Sequence, residues 1–99
     1  MHLFASSNLN VTNINSSNNE IGIFNSGLIN SHLHNLTIKN NDQYGLEFLE
    51  CYNNTLINSI IYNNTNLGLR FLRFGGNWNG ATQFPNLVYN NIFNNTINY

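Results

Sequence analysis

The stretch Asn54-Thr55-Leu56-Ile57-Asn58-Ser59-Ile60-Ile61-Tyr62-Asn63-Asn64, closed shortly after by Gly68-Leu69, decides the fold. Short apolar segments are separated by Asn, Ser or Gly, and pairs two apart, as in Leu46-Glu47-Phe48, have the period of a strand. No window shows a capped helical pattern. Outward from this stretch the sequence repeats. Gly22, Gly45 and Gly68 are spaced 23 apart. One residue after them come Ile23, Leu46 and Leu69; three after, Asn25, Phe48 and Phe71; six after, Leu28, Cys51 and Phe74. Leu33 aligns with Leu56, and Ile38 with Ile61. Asn18, Asn41 and Asn64 each precede a glycine by four residues. A later copy, displaced by eight residues, places Leu87, Ile92 and Asn95 where Leu56, Ile61 and Asn64 stood. The first copy is the least regular, with Val11 and Ile14 out of step.

A fixed period in this range marks a stacked architecture. The reading is all-β: a right-handed parallel β-helix of about four coils with a 23-residue repeat, forming one unit over residues 1–99. Equivalent positions would stack about 4.8 Å apart, the interstrand spacing. Columns of Leu and Ile would then form a core that no coil makes alone. Stacked asparagines could bond one another as they do in cross-β stacks. Glu47 precedes Arg70 by 23, and Glu50 precedes Arg73 by 23, so two opposite-charge pairs are expected across one coil boundary on the outer face.

Composition bounds the function. Of 99 residues only 7% are charged and the net charge is −1, which argues against a nucleic-acid partner. At 41% hydrophobic the chain is no charged disordered tail. The 25 asparagines predict frequent turns. The single cysteine, Cys51, excludes an internal disulfide and reads as a small core residue. Residues 1–7 lack a basic, then apolar leader, so no signal peptide and no membrane insertion are expected.

The quoted stretch resembles the repeats of the NosD-like and archaeal surface-protein group, roughly Asn-x-Ile-x-x-Asn-x-Ile-x-x-Asn followed by Gly-Ile, with Ser59 at the middle Asn. Asn86-Leu87-Val88-Tyr89-Asn90-Asn91-Ile92-Phe93-Asn94-Asn95 is similar to the close of such helices. The resemblance implies a right-handed β-helix in an extracellular or surface-located, adhesin-like protein, as part of a longer precursor. It does not by itself fix a function, because this fold serves enzymes, adhesins and spacers alike. A leucine-rich repeat is the rival. Leu33-His34-Asn35-Leu36-Thr37-Ile38-Lys39-Asn40-Asn41 fits its signature, but Gln43 and Asn66 stand where a further leucine belongs, and Ser59 and Asn90 are polar at its second leucine.

No catalytic residues are expected. Acid–base chemistry needs convergent carboxylates. Glu47 and Glu50 are assigned to arginines, and Asp42 shares a turn column with Thr65 and Thr96. His32 and His34 share a strand face, with His2 and Met1 they form a conceivable copper-ligand set, and the NosD name is associated with copper. A tight site needs three or four convergent ligands, and neither histidine recurs in the next coil, so no metal and no cofactor are expected. Asn-x-Ser/Thr occurs at Asn10, Asn15, Asn35, Asn53, Asn63 and Asn94, a mild excess over chance; glycosylation there would require a secreted location. The insert at 75–86 carries Gly75, Gly76 and Gly80 with Trp78 and Phe84. These rings, with Tyr62 and Phe93, are the candidate carbohydrate contacts, and a lid over the stack is the other reading of Trp78 and Phe84.

The function expected is a structural or binding module that contacts carbohydrate. The alternative is a segment of a carbohydrate-active lyase or epimerase whose catalytic coils lie elsewhere. The chain starts and stops within a coil, and Tyr99 falls where the next glycine would stand. It is therefore read as a fragment of a longer solenoid, its partners being flanking coils.

Overall fold

The computed structural model describes residues 1–72 and 85–99. The chain lays down three short strands per pass. The first pass gives β1 (His2–Phe4), β2 (Asn10–Thr12) and β3 (Asn15–Ser17). The second gives β4 (Ile21–Ser26), β5 (His32–His34) and β6 (Thr37–Lys39), and the third β7 (Tyr44–Leu49), β8 (Thr55–Ile57) and β9 (Ile60–Tyr62). The last gives β10 (Leu67–Leu72), β11 (Asn86–Val88) and β12 (Asn91–Phe93). No helix occurs among the described residues, which removes the leucine-rich repeat.

Strands pair only with their equivalents one pass away, and every pairing is parallel. Three four-stranded sheets result: β1-β4-β7-β10, β2-β5-β8-β11 and β3-β6-β9-β12. The molecule is a parallel β-solenoid. Four passes enclose about three full turns between the first and last strand of a sheet.

The register follows the repeat where the repeat is regular. Ile23, Leu46 and Leu69 stand in one column, as do Leu33 and Leu56, and Ile38 and Ile61. Leu87 pairs with Leu56 and Ile92 with Ile61, so the columns continue across the longer connection between β10 and β11. Trp78, Phe84 and most of the insert at 75–86 lie outside the described residues; Asn86 opens β11. Ile23, Leu28, Leu33, Ile38, Leu46, Leu56 and Ile61 are fully buried. Burying side chains of this kind is worth about 1.5–3 kcal/mol each, so the inward columns hold the stack together.

Two register details differ from the sequence reading. The first step is one residue short: Val11 pairs with Leu33 and Ser16 with Ile38, 22 apart. The missing residue corresponds to Asp42, since Asp42 donates to the carbonyl of Asn19 and Gln43 to that of Glu20. Asn19, not Asn18, therefore stands beneath Asn41. At the other end Ile97 bridges Leu67, and Asn98, not Tyr99, takes the place of the next glycine, its carbonyl lying where a Cβ on Gly68 would point.

The corners explain the asparagines. Thirteen non-glycine residues have positive φ among the described residues, and ten of them are Asn. Asn tolerates this left-handed conformation best after glycine. They form columns such as Asn18, Asn40, Asn63 and Asn94, and Asn13, Asn35 and Asn58. The residue after each turns inward, and its N–H needs a partner because the strand ladder is interrupted there. At many corners the equivalent side chain one coil further on accepts it, whereas Leu28 and Leu36 offer none to the first coil. The Asn41 N–H donates to Asn64 Oδ1 at 3.1 Å, and the Asn64 N–H to Asn95 Oδ1 at 2.9 Å. Asn41 Nδ2 and Asn64 Nδ2 continue the ladder at 2.9 and 2.8 Å. At other corners Ser31 donates to Asn54 Oδ1 at 3.0 Å, Leu36 to Ser59 Oγ at 3.1 Å, and Leu28 to Cys51 Sγ at 3.2 Å.

The repeated glycines make room for this ladder. A Cβ on Gly45 would lie 2.7 Å from the Gly68 carbonyl oxygen, 2.7 Å from Ile61 Cγ2 and 2.8 Å from Asn64 Nδ2. Gly45→Ala should therefore cost about 1–3 kcal/mol through overpacking. Asn64→Ala, which orphans the buried Asn41 N–H, should cost a similar 1–3 kcal/mol. Asn40→Gly, in the left-handed column beside the ladder, should shift stability by well under about 1 kcal/mol. Urea unfolding monitored by circular dichroism separates the three; equal losses for Asn64→Ala and Asn40→Gly would refute the ladder's role.

Candidate functional site

Outer faces alternate with the core along every strand. On the third sheet the outward column is Ser17, Lys39, Tyr62 and Phe93. Parallel in-register pairing stacks Tyr62 on Phe93, with centroids 5.2 Å apart and planes 2° apart. The Lys39 ammonium lies 5.9 Å from the Tyr62 centroid. Two of the four predicted carbohydrate contacts are thus brought together. They are stacked on each other, so each gives one ring face to its neighbour rather than to a ligand. Trp78 and Phe84 lie outside the described residues.

The C-terminal end of the stack holds a hollow of about 350 Å³ lined by Leu87, Tyr89, Asn90, Asn91, Ile92 and Tyr99. Leu87 and Ile92 continue the columns of Leu56 and Ile61. Asn90 is committed to the scaffold: its Oδ1 accepts the Ser59 N–H at 2.9 Å and its Nδ2 donates to the Leu56 carbonyl at 2.7 Å. Asn91, Tyr89 and Tyr99 are exposed, the two tyrosines at 87% and 70%. Tyr89 is the anomaly. It has φ +53° in a column where the other three coils place Asn13, Asn35 and Asn58. A bulky ring in that conformation is strained, and such outliers concentrate at functional sites. Sequence reasoning passed over Tyr89, although its departure from the Asn column was there to be seen.

The predicted ion pair has a different environment from the one expected. Arg70 and Glu47 are in register, with Nη1 and Oε1 3.6 Å apart. Glu47 is not on an open outer face; it is only 4% exposed, and its Oε2 has no hydrogen-bond partner among the described residues. Arg70 also lies over the Tyr44 ring, 4.4 Å from the centroid. Burial pushes the Glu47 carboxyl above the ordinary carboxylate value, and the Arg70 charge offsets this only in part. The partner proposed for Glu50, Arg73, lies outside the described residues.

Metal-ligand chemistry can be tested fully, because residues 73–84 contain no His, Cys, Met, Asp or Glu. No group of three or more His, Cys, Asp or Glu that could hold a metal occurs among the described residues. His34 is engaged on both ring nitrogens, with Asn10 Oδ1 at 3.0 Å and Thr12 Oγ1 at 3.4 Å. The His2 ring packs on Phe24 at 4.4 Å. Cys51 is buried, its sulfur closes a corner, and burial raises its thiol pKa, which keeps it protonated.

Three stacked parallel sheets, asparagine-lined corners and outer faces without a convergent donor set define a β-helix module. Over residues 1–99 the chain matches the family described as periplasmic copper-binding protein (NosD), and it belongs to that family. No curated protein and no solved structure matches it. Among the described residues no helix is long and apolar enough to cross a membrane. Among the described residues no convergent donor set fits the copper of the family's description: Cys51 is buried within a corner, His34 is engaged on both ring nitrogens, and the exposed Met1 is joined only by His2 next to it in the sequence.

Copper titrated into the purified chain should accordingly show no stoichiometric site. A one-to-one complex abolished in His32→Ala and His34→Ala would overturn this. A second expectation concerns pH. The folded pKa of Glu47 is raised, so the folded state holds the proton more tightly. That favourable term is complete below the unfolded value of 4.5 and is lost as pH rises through the folded value. Glu47→Gln should remove this fall in stability above pH 4.5 and be no less stable than the parent at neutral pH. Melting curves between pH 4 and pH 8 measure it; a variant less stable at pH 7 would mean that the Arg70 pairing outweighs burial.

Proposed function

We propose that this chain is a non-catalytic β-helix module of an extracytoplasmic protein, and that the exposed surface around Tyr89 contacts carbohydrate. The observation that carries this reading is Tyr89, held at φ +53° with its ring 87% exposed at the rim of the hollow. Where the scaffold alone decides, that position is Asn. The lining is mostly polar, with Asn90, Asn91 and the hydroxyls of Tyr89 and Tyr99 beside Leu87 and Ile92, which suits the hydroxyl rim of a sugar. The volume fits one or two sugar rings. The stacked Tyr62 and Phe93 extend the aromatic surface along the neighbouring outer face.

The carboxylates support a binding role over a catalytic one. Glu20 Oε1 accepts from Gln43 Nε2 at 2.6 Å, and Glu47 faces Arg70. Asp42 stands exposed in a turn, and Glu50 is a left-handed corner residue. None of these four lines the hollow.

Tyr89→Asn separates the scaffold from the site. It should stabilise the fold by about 1 kcal/mol, because Asn accepts the left-handed conformation more readily. It should also abolish binding of neutral oligosaccharides in a calorimetric or NMR titration. Binding that survives both Tyr89→Asn and Tyr99→Ala would remove this surface as the site. Shortening of the oligosaccharides during incubation would favour the enzyme reading.

A further inference from the structure

The six Asn-x-Ser/Thr triplets are not explained by the fold alone. All six asparagines, Asn10, Asn15, Asn35, Asn53, Asn63 and Asn94, are exposed. In each triplet the middle residue points inward, so the Asn and the hydroxyl two residues on share the outer surface. The structure nonetheless distinguishes among them. Asn10 Oδ1 is paired with His34 Nε2, and Asn35 Nδ2 donates to Asn13 Oδ1 at 3.2 Å. The hydroxyl residues of the Asn15, Asn35 and Asn53 triplets, Ser17, Thr37 and Thr55, are half-buried on strands. The Asn94 triplet ends in Thr96, whose Oγ1 donates to the Thr65 carbonyl at 2.5 Å. Asn63 differs from all of these. Asn63 and Thr65 are both exposed, and neither side chain has a hydrogen-bond partner among the described residues, while Asn64 between them is fixed in the buried ladder.

The corner does not require this threonine. Asn18 and Asn40 occupy the same left-handed column as Asn63, and two residues after them stand Glu20 and Asp42. The ladder constrains only the residue between. A free amide on a protruding corner with a free hydroxyl two positions on is the acceptor pattern for N-linked glycosylation.

We infer that Asn63 is an N-glycosylation site, modified by a lipid-linked oligosaccharide on the extracytoplasmic side of the membrane. The Asn63 amide nitrogen bonds to C1 of the first sugar. The bond from C1 to the lipid phosphate breaks, the phosphate leaves with the electron pair, and one amide proton is released. Asn63 is an exposed corner residue, so a glycan there leaves the buried core columns undisturbed.

The test is glycopeptide mapping by mass spectrometry of the protein isolated from its native host. Asn63 should carry a glycan in most molecules, and Asn10 and Asn35 should be bare. Asn63→Gln and, independently, Thr65→Ala should each remove that glycan, whereas Thr65→Ser should retain it. An unmodified Asn63 peptide, or a glycan that persists at this position in Thr65→Ala, overturns the assignment. Occupancy of Asn10 or Asn35 in preference to Asn63 overturns it equally, because free side chains would then not be what selects the acceptor.

Discussion

The structure depends on what happens to the inward N–H at each corner. Along a strand every amide meets a carbonyl of the neighbouring coil. At a corner the chain passes through a left-handed residue, and the next N–H points along the stack with no carbonyl to receive it. Leaving such a group buried and unpaired costs roughly as much as a lost hydrogen bond, and the need recurs from coil to coil. The solution is a side-chain acceptor borrowed from the equivalent residue one coil further on: Asn64 for Asn41, Asn54 for Ser31, Ser59 for Leu36, and even the Cys51 sulfur for Leu28.

From that constraint much else follows. The acceptor must be short, polar and inward, so the interior carries polar columns beside its Leu and Ile columns. The residue before it must adopt positive φ, so the corner columns are rich in Asn. The glycine column is small because the ladder amides and an isoleucine methyl occupy the space a Cβ would need. Coupling is only between neighbouring coils, so a longer connection between β10 and β11 leaves the columns on both sides in register. The same economy isolates function from fold. Residues that break the columnar rule, such as Tyr89 among asparagines, are free to serve a ligand because the scaffold does not need them there.

The interior also tolerates some imperfection. Asn25 is fully buried in a column with Phe48 and Phe71, donates to the Glu47 carbonyl at 3.1 Å, and leaves its own Oδ1 unpaired. Glu47, on the opposite face of the sheet, is covered, with one oxygen unpaired among the described residues. Both are departures from an apolar column. They lie on the first sheet, whose six-residue strands β4, β7 and β10 are the longest among the described residues.

By itself the sequence determined the solenoid. A glycine every 23 residues, aliphatic columns at fixed offsets and asparagine at the turns are consequences of stacking that a linear reading detects, because each column repeats one environment. It could also show Glu47 opposite Arg70, since parallel in-register pairing converts sequence spacing directly into contact. Only the tertiary structure decided what breaks the repeat. The one-residue deficit at Asp42, which puts Asn19 rather than Asn18 under Asn41, depends on which turn accommodates it, and both frames leave an Asn in place. The burial of Glu47 depends on neighbours that strand alternation does not name. The left-handed backbone of Tyr89, in a column otherwise held by Asn13, Asn35 and Asn58, is likewise a departure that periodicity does not foretell.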